Sequence, residues 1–181
     1  MQKDNLKYLP IFQIHERESE VRTMKDKEQF SHEEKLKRNY YDLVSQWNLP
    51  IVHMGGLAAT EELMKLCHPD KESNLLDAGC GTGFTACQIV KKYRCRVVGV
   101  DISEKMIARA KERAFKENVE EIEFQVADVT RLPFEDQLFD IVIMESFLSI
   151  LGEAGIIARA LHEISRVVKP GGRVGANEVF A

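Results

Sequence analysis

The stretch Leu75-Leu76-Asp77-Ala78-Gly79-Cys80-Gly81-Thr82-Gly83 constrains this chain more than any other. Apolar residues running into three glycines within five positions describe a buried strand that passes through a tight turn into a helix. In a parallel sheet such turns gather at the carboxyl edge, where ligands bind. Glycine there lets a ligand approach the backbone closely, because no Cβ intervenes. A bare structural turn needs neither three glycines nor the carboxylate of Asp77 just ahead of them.

The pattern then repeats. Apolar, Val-rich runs predict strands at 74–78, 96–100, 122–127, 139–144 and 173–180, and helices between them at 82–93, 103–116 and 155–168. Ser103 is the expected N-cap of the second of these helices. Leu132-Pro133-Phe134 breaks the chain, and Lys169-Pro170-Gly171-Gly172 ends the last helix. Strand–helix alternation with apolar strands means a parallel sheet covered on both faces. The predicted fold class is therefore α/β, a doubly wound, Rossmann-like parallel sheet.

Two helices are expected before it. Ser31-x-x-Glu34 reads as a capping box ahead of an apolar stripe of Leu36, Tyr40, Leu43, Val44 and Trp47, closed by Pro50. A second helix is expected at 60–68, stopped by Pro69, with His53-Met54-Gly55-Gly56 as the connection. The domain reading is an N-terminal helical extension with a lid helix at 1–56 and a ligand-binding core at 57–181.

Composition excludes several classes. A net charge of -4 over 181 residues argues against a nucleic-acid surface, which relies on clustered Lys and Arg. No apolar run reaches the roughly 18 residues that a membrane span needs. The first residues lack an uninterrupted apolar stretch followed by a small-residue cleavage site, so no secretory leader is expected. Cys67, Cys80, Cys87 and Cys95 form no CxxC pair, and free thiols in a reducing cytoplasm are expected. His15, His32, His53, His68 and His162 show no metal-ligand spacing, so no metal is expected.

The ligand class is decided by charge. Gly81-x-Gly83-x-x-Ala86, with Asp101 standing 20 residues after Gly81, satisfies the spacing of a dinucleotide fingerprint. A pyrophosphate at that turn, however, wants N–H dipoles and no anion. Asp77 puts a carboxylate there, which suits the ammonium and sulfonium of S-adenosylmethionine. Asp101, after Val97-Val98-Gly99-Val100, can accept from both ribose hydroxyls, or serve the dipole of the helix that follows. Asp128 ends the third strand, where it can accept from an adenine amino group or act as a turn aspartate. Ile102, Ala127 and Val129 would flank the ring.

LLDAGCGTGF, VVGVDIS, ADVTRLPF, FDIVIMES and ISRVVKPGGRV together resemble the successive motifs of class I S-adenosylmethionine-dependent methyltransferases, in the family's order and over residues 74–180. The likeness is greatest to small-molecule methyltransferases of the ubiquinone/menaquinone and sterol type. The resemblance implies that the glycine loop contacts the methionine part, Asp101 the ribose and Asp128 the adenine. It gives Asp77, Gly79, Cys80, Gly81, Asp101, Ile102, Met106, Ala127, Asp128 and Val129 as cofactor-binding residues. His53 and Gly55 join them on a loop that closes over the methionine end in relatives. Glu145 ends the fourth strand beside the methyl group. It is the one catalytic candidate and is counted with the cofactor-binding residues as well, with helix capping as its other reading.

The implied activity is methyl transfer from S-adenosylmethionine to a small-molecule acceptor. A non-catalytic S-adenosylmethionine-binding module and an NAD-dependent oxidoreductase are the rival readings. Compared with the seven strands of that family, the sequence is truncated after the fifth. An unpaired strand edge favours association, and three readings stay open: a truncated gene, a homo-oligomer covering the fifth strand, or cover by the N-terminal extension.

Overall fold

Five strands, β1 (Asn74–Ala78), β2 (Arg96–Asp101), β3 (Ile122–Val126), β4 (Phe139–Glu145) and β5 (Val168–Asn177), lie in one parallel sheet in the order β3-β2-β1-β4-β5. The computed structural model describes His53 and residues 55–178. The helix expected behind Ser31, the extension before it and the last residues of the expected fifth strand lie outside the described residues.

Five helices connect and cover the described strands: α1 (Gly56–Cys67), α2 (Phe84–Tyr93), α3 (Glu104–Lys116), α4 (Leu148–Leu151) and α5 (Ala154–Val167). Side chains alternate across a strand, and the two faces fill separately. Leu75, Val97, Phe124, Ile141 and Ile143 pack with Leu63 and Met64 of α1, Ala86 and Ile89 of α2, and Ile107 and Ala110 of α3. Leu76, Ala78, Val100, Val142 and Met144 pack with Ala160, Ile164 and Val167 of α5. That is the doubly wound arrangement. β1 has β2 on one side and β4 on the other, so the switch-point crevice opens at the carboxyl end of β1, where Asp77 and the glycines stand.

Several boundaries differ from the sequence reading. α1 begins at Gly56, not at residue 60, because Ala59, Thr60, Leu63, Met64 and Cys67 already form one buried stripe. Strand β5 begins at Val168, which pairs with Phe139 before the register shifts and Arg173 pairs with Ile141. The Lys-Pro-Gly-Gly turn is therefore bulged into the strand instead of preceding it. Helix α4 was not expected. Ser103 does cap α3: its Oγ accepts from Met106 N–H at 3.3 Å.

Phe139 is among the largest fully buried side chains and meets Phe134 edge-to-face at 5.0 Å. Phe139→Ala is expected to cost about 3–5 kcal/mol, lowering the thermal midpoint by roughly 10 °C. Melting followed by circular dichroism checks this.

Candidate functional site

Register and parity bring the acids together. Asp77 lies opposite Gly99 of β2 and Ile143 of β4. It shares the face of Leu75, and Glu145 shares the face of Ile141 and Ile143; this is the side covered by α1, α2 and α3. Asp77 is only 3% exposed, and among the described residues its Oδ2 makes no hydrogen bond. Burial pushes its carboxyl well above the usual carboxylate range, and the charges of Glu145 and then Asp101 push the same way. A buried oxygen without a donor is costly, so this edge of the sheet is suited to a cation that brings N–H groups.

The glycine loop is held from three sides. The Gly79 and Cys80 N–H groups both donate to the Val100 carbonyl, at 2.8 and 2.9 Å. Gly81 N–H donates to Asp101 Oδ2 at 3.0 Å. Arg113 Nε donates to the Thr82 carbonyl at 3.0 Å, with its guanidinium over the Phe84 ring. The glycines differ in task. At Gly81, with φ +52°, an added Cβ would meet nothing within 4 Å, so its surface is open to a ligand. At Gly83 the same atom would lie 2.6 Å from Phe124 and 2.7 Å from Ala110, so this glycine serves packing. At Gly79 it would lie 2.6 Å from the Phe147 ring, which rests on the loop.

Asp101 is half-buried, and its two oxygens are already used. Oδ1 accepts from Ser103 N–H at 2.9 Å and Oδ2 accepts from Gly81. Burial raises its carboxyl, while backbone bonds from Ser103, Gly81 and Ile102 oppose the rise. Each oxygen retains a second lone pair for a hydroxyl donor. Ala127 N–H donates to the Asp101 carbonyl at 3.0 Å, which ties the end of β3 to this rim. The next residue, Asp128, is exposed, and its Oδ1 accepts from the Thr130 N–H and hydroxyl at 2.9 and 2.8 Å. It is thus a turn aspartate at the end of β3, with its other carboxylate oxygen not engaged by Thr130. Ile102 is half-buried, while Met106 and Val129 are buried.

Cys80 turns its thiol into the core that holds Phe124 and Ile143, so what it presents to a ligand is backbone. Burial pushes that thiol well above the ordinary cysteine range and raises Cys67, Cys87 and Cys95 to about 11. Raised and buried in this way, the thiols are poorly suited to nucleophilic chemistry at neutral pH.

Glu145 is gripped from α1. The Thr60 hydroxyl donates to both carboxylate oxygens, at 2.9 and 3.1 Å. His53 Nε2 lies 3.4 Å from Glu145 Oε2 and 3.3 Å from Thr60 Oγ1, and its Nδ1 lies 3.5 Å from Asn177 Nδ2. An Nε2-protonated ring satisfies both neighbours, donating to Glu145 and accepting from the Asn177 amide. Gly55 is the exposed N-cap of α1 beside this cluster. The helix-capping reading of Glu145 is overturned: Glu178 takes that position on α4, accepting from Phe147, Leu148 and Ser149 N–H. Sequence reasoning missed Thr60, Arg113, Asn177 and Glu178. Only the buried stripe of α1 and the pairing of Asn177 with Glu145 reveal the first and third.

Among the described residues no group of three or more His, Cys, Asp or Glu could hold a metal, and no helix is long and apolar enough to cross a membrane.

Comparison with known proteins accords with this geometry. Residues 75–172 match a family model described as a methyltransferase domain. An uncharacterized methyltransferase, YodH, of Bacillus subtilis is 35% identical over 133 residues, covering 74% of this chain and 54% of that protein. The 27-O-demethylrifamycin SV methyltransferase of Amycolatopsis mediterranei is 37% identical over 106 residues, 58% of this chain and 38% of that one. A solved phosphoethanolamine N-methyltransferase 2 of Haemonchus contortus, in complex with S-adenosyl-L-methionine, superposes with a TM-score of 0.67 at 26% identity, covering 77% of this chain and 35% of that one. The chain spans about half the length of the first relatives it matches. The family match sets aside the NAD-dependent oxidoreductase. This chain belongs to the methyltransferase domain family, with the class I, S-adenosylmethionine-dependent fold.

Proposed function

We propose that this domain binds S-adenosylmethionine and directs its methyl group to a small-molecule acceptor. The observation that carries the reading is the unpartnered, buried Oδ2 of Asp77 beside the open backbone of Gly81. A cation whose N–H groups meet that oxygen, with its chain laid along the loop, fits both features at once. A pyrophosphate could use the open backbone but not the carboxylate. Gly79, Cys80 and Gly81 offer backbone to the methionine part, Asp101 takes the ribose hydroxyls, and Asp128 takes the adenine amino group. Ile102, Met106, Ala127 and Val129 supply the apolar surroundings of the ring. His53 and Gly55 border the methionine end from the start of α1.

When bound, the cofactor supplies a methyl group on a sulfonium, already a good leaving group. The work left to the chain is positioning, which holds an acceptor near attack distance, about 3–3.5 Å. Glu145, fixed by Thr60 and His53, orients the acceptor at the carboxyl end of β4. The small-molecule reading draws support from relatives that methylate a rifamycin and phosphoethanolamine. The ubiquinone/menaquinone and sterol likeness, a location in the cytoplasm and a homo-oligomer covering the β5 edge belong to the same proposal.

S-adenosylhomocysteine should raise the thermal midpoint by several degrees while NAD leaves it unchanged, and a panel of small acceptors should yield S-adenosylhomocysteine from S-adenosylmethionine. Stabilisation by NAD alone would contradict the reading. Binding without turnover across the panel would favour the non-catalytic module.

A further inference from the structure

Strand β5 ends beside the site, and two consecutive residues there hold the loop that follows β4. The Asn177 carbonyl accepts from Ser146 N–H at 2.8 Å, where Ser146 has the left-handed φ of +52°. Glu178 is 7% exposed. Its Oε1 accepts from Phe147 and Leu148 N–H at 2.7 and 2.8 Å, and its Oε2 from Ser149 N–H at 3.2 Å. Three N–H groups on one carboxylate make charge-assisted bonds that fix the backbone of 147–149. That backbone aims the Phe147 ring, which lies so close over Gly79 that even a methyl group there would meet it at 2.6 Å. The line from Glu178 to the glycine loop is therefore a single packed step.

We infer that Glu178 is a positioning residue for the methionine end of the cofactor, acting through Phe147 on the Gly79–Gly81 backbone. It touches neither cofactor nor acceptor; it sets how tightly the loop is held before either arrives. Strain at Ser146 favours this account: a non-glycine residue in that conformation persists only where its surroundings impose it, and here Asn177 bonds Ser146 itself while Glu178 fixes the three residues that follow. The inference rests on the proposed cofactor reading for its binding consequence but not for its structural one.

Two measurements on the full chain separate those consequences. The first is amide hydrogen exchange of residues 79–83 and 147–149 in the ligand-free protein. The second is the Kd for S-adenosylhomocysteine by titration calorimetry. Glu178→Ala and Phe147→Ala should each speed exchange at 79–83 several-fold while β2 and α3 stay as in the wild type. Each should weaken S-adenosylhomocysteine by about tenfold, the size expected when one charge-assisted contact stops ordering a loop. Glu178→Gln, which keeps a carbonyl acceptor, should recover most of both effects, and Phe147→Ala carries the test if Glu178→Ala does not fold. Unchanged exchange at 79–83 in Glu178→Ala and Phe147→Ala would overturn the inference, whatever the Kd values. Faster exchange in a protein whose wild type binds no S-adenosylhomocysteine would uphold the coupling and overturn the cofactor reading instead.

Discussion

Asp77→Asn should give a protein that is more stable without ligand and binds S-adenosylhomocysteine far less well. The Asp77 carboxyl is held above its ordinary value by burial, and then by Glu145 and Asp101. An unfolded Asp loses its proton near 3.8, whereas the native one keeps it to higher pH. Between those two values the native state binds more protons, so stability falls as pH rises. The cost is absent below the unfolded value and fully present above the folded one. Asn does not titrate, so the variant escapes the cost. At neutral pH the variant should therefore be the more stable protein, read as a higher thermal midpoint. The difference should vanish toward pH 3.

Binding should move the other way. A cofactor ammonium against Asp77 favours the ionised carboxylate, so binding to the wild type expels a proton and tightens as pH rises toward the ligand-free pKa. Losing that charge-assisted contact should weaken S-adenosylhomocysteine about 10- to 100-fold. Calorimetry in two buffers of different ionisation enthalpy reads the proton directly. Wild type should release it; Asp77→Asn should not.

The glycines give the second large contrast. Gly83→Ala puts a methyl group 2.6–2.7 Å from Phe124 and Ala110 at a residue with φ +73°. Backbone strain and overpacking act together, and the expected loss is about 2–4 kcal/mol. Gly81→Ala meets no atom within 4 Å, so only the left-handed φ costs, about 1 kcal/mol. Its methyl group stands instead where the cofactor would approach, and affinity should fall at least tenfold. Melting and titration on the same two proteins check both halves. Equal losses of stability would refute the division of labour between the glycines.

Asp77, the three glycines, Asp101 and Asp128 were legible in the sequence because each sits at the end of an apolar run. The alternation of such runs with helices already implies one common sheet edge. Thr60, Asn177 and Glu178 were not, for a physical reason. Thr60 meets Glu145 across 85 residues of chain and Asn177 meets His53 across 124, contacts that exist only once the β4–β5 register is set. That register was hidden by the bulge at Lys169–Gly172, which also moved the start of β5. Glu145 was picked out correctly as a rim residue, but its capping alternative failed because Glu178, from another strand, holds α4. Arg113 carries no signal of its own within the helical run 103–116, yet its guanidinium reaches the Thr82 carbonyl.

A crystal structure of the full chain with S-adenosylhomocysteine tests the central claim most directly. The account predicts the ammonium within about 3 Å of Asp77 Oδ2, the ribose hydroxyls on Asp101, and the ligand chain against Gly81. A ligand bound elsewhere, or at this rim with Asp77 Oδ2 still unpartnered, would contradict it.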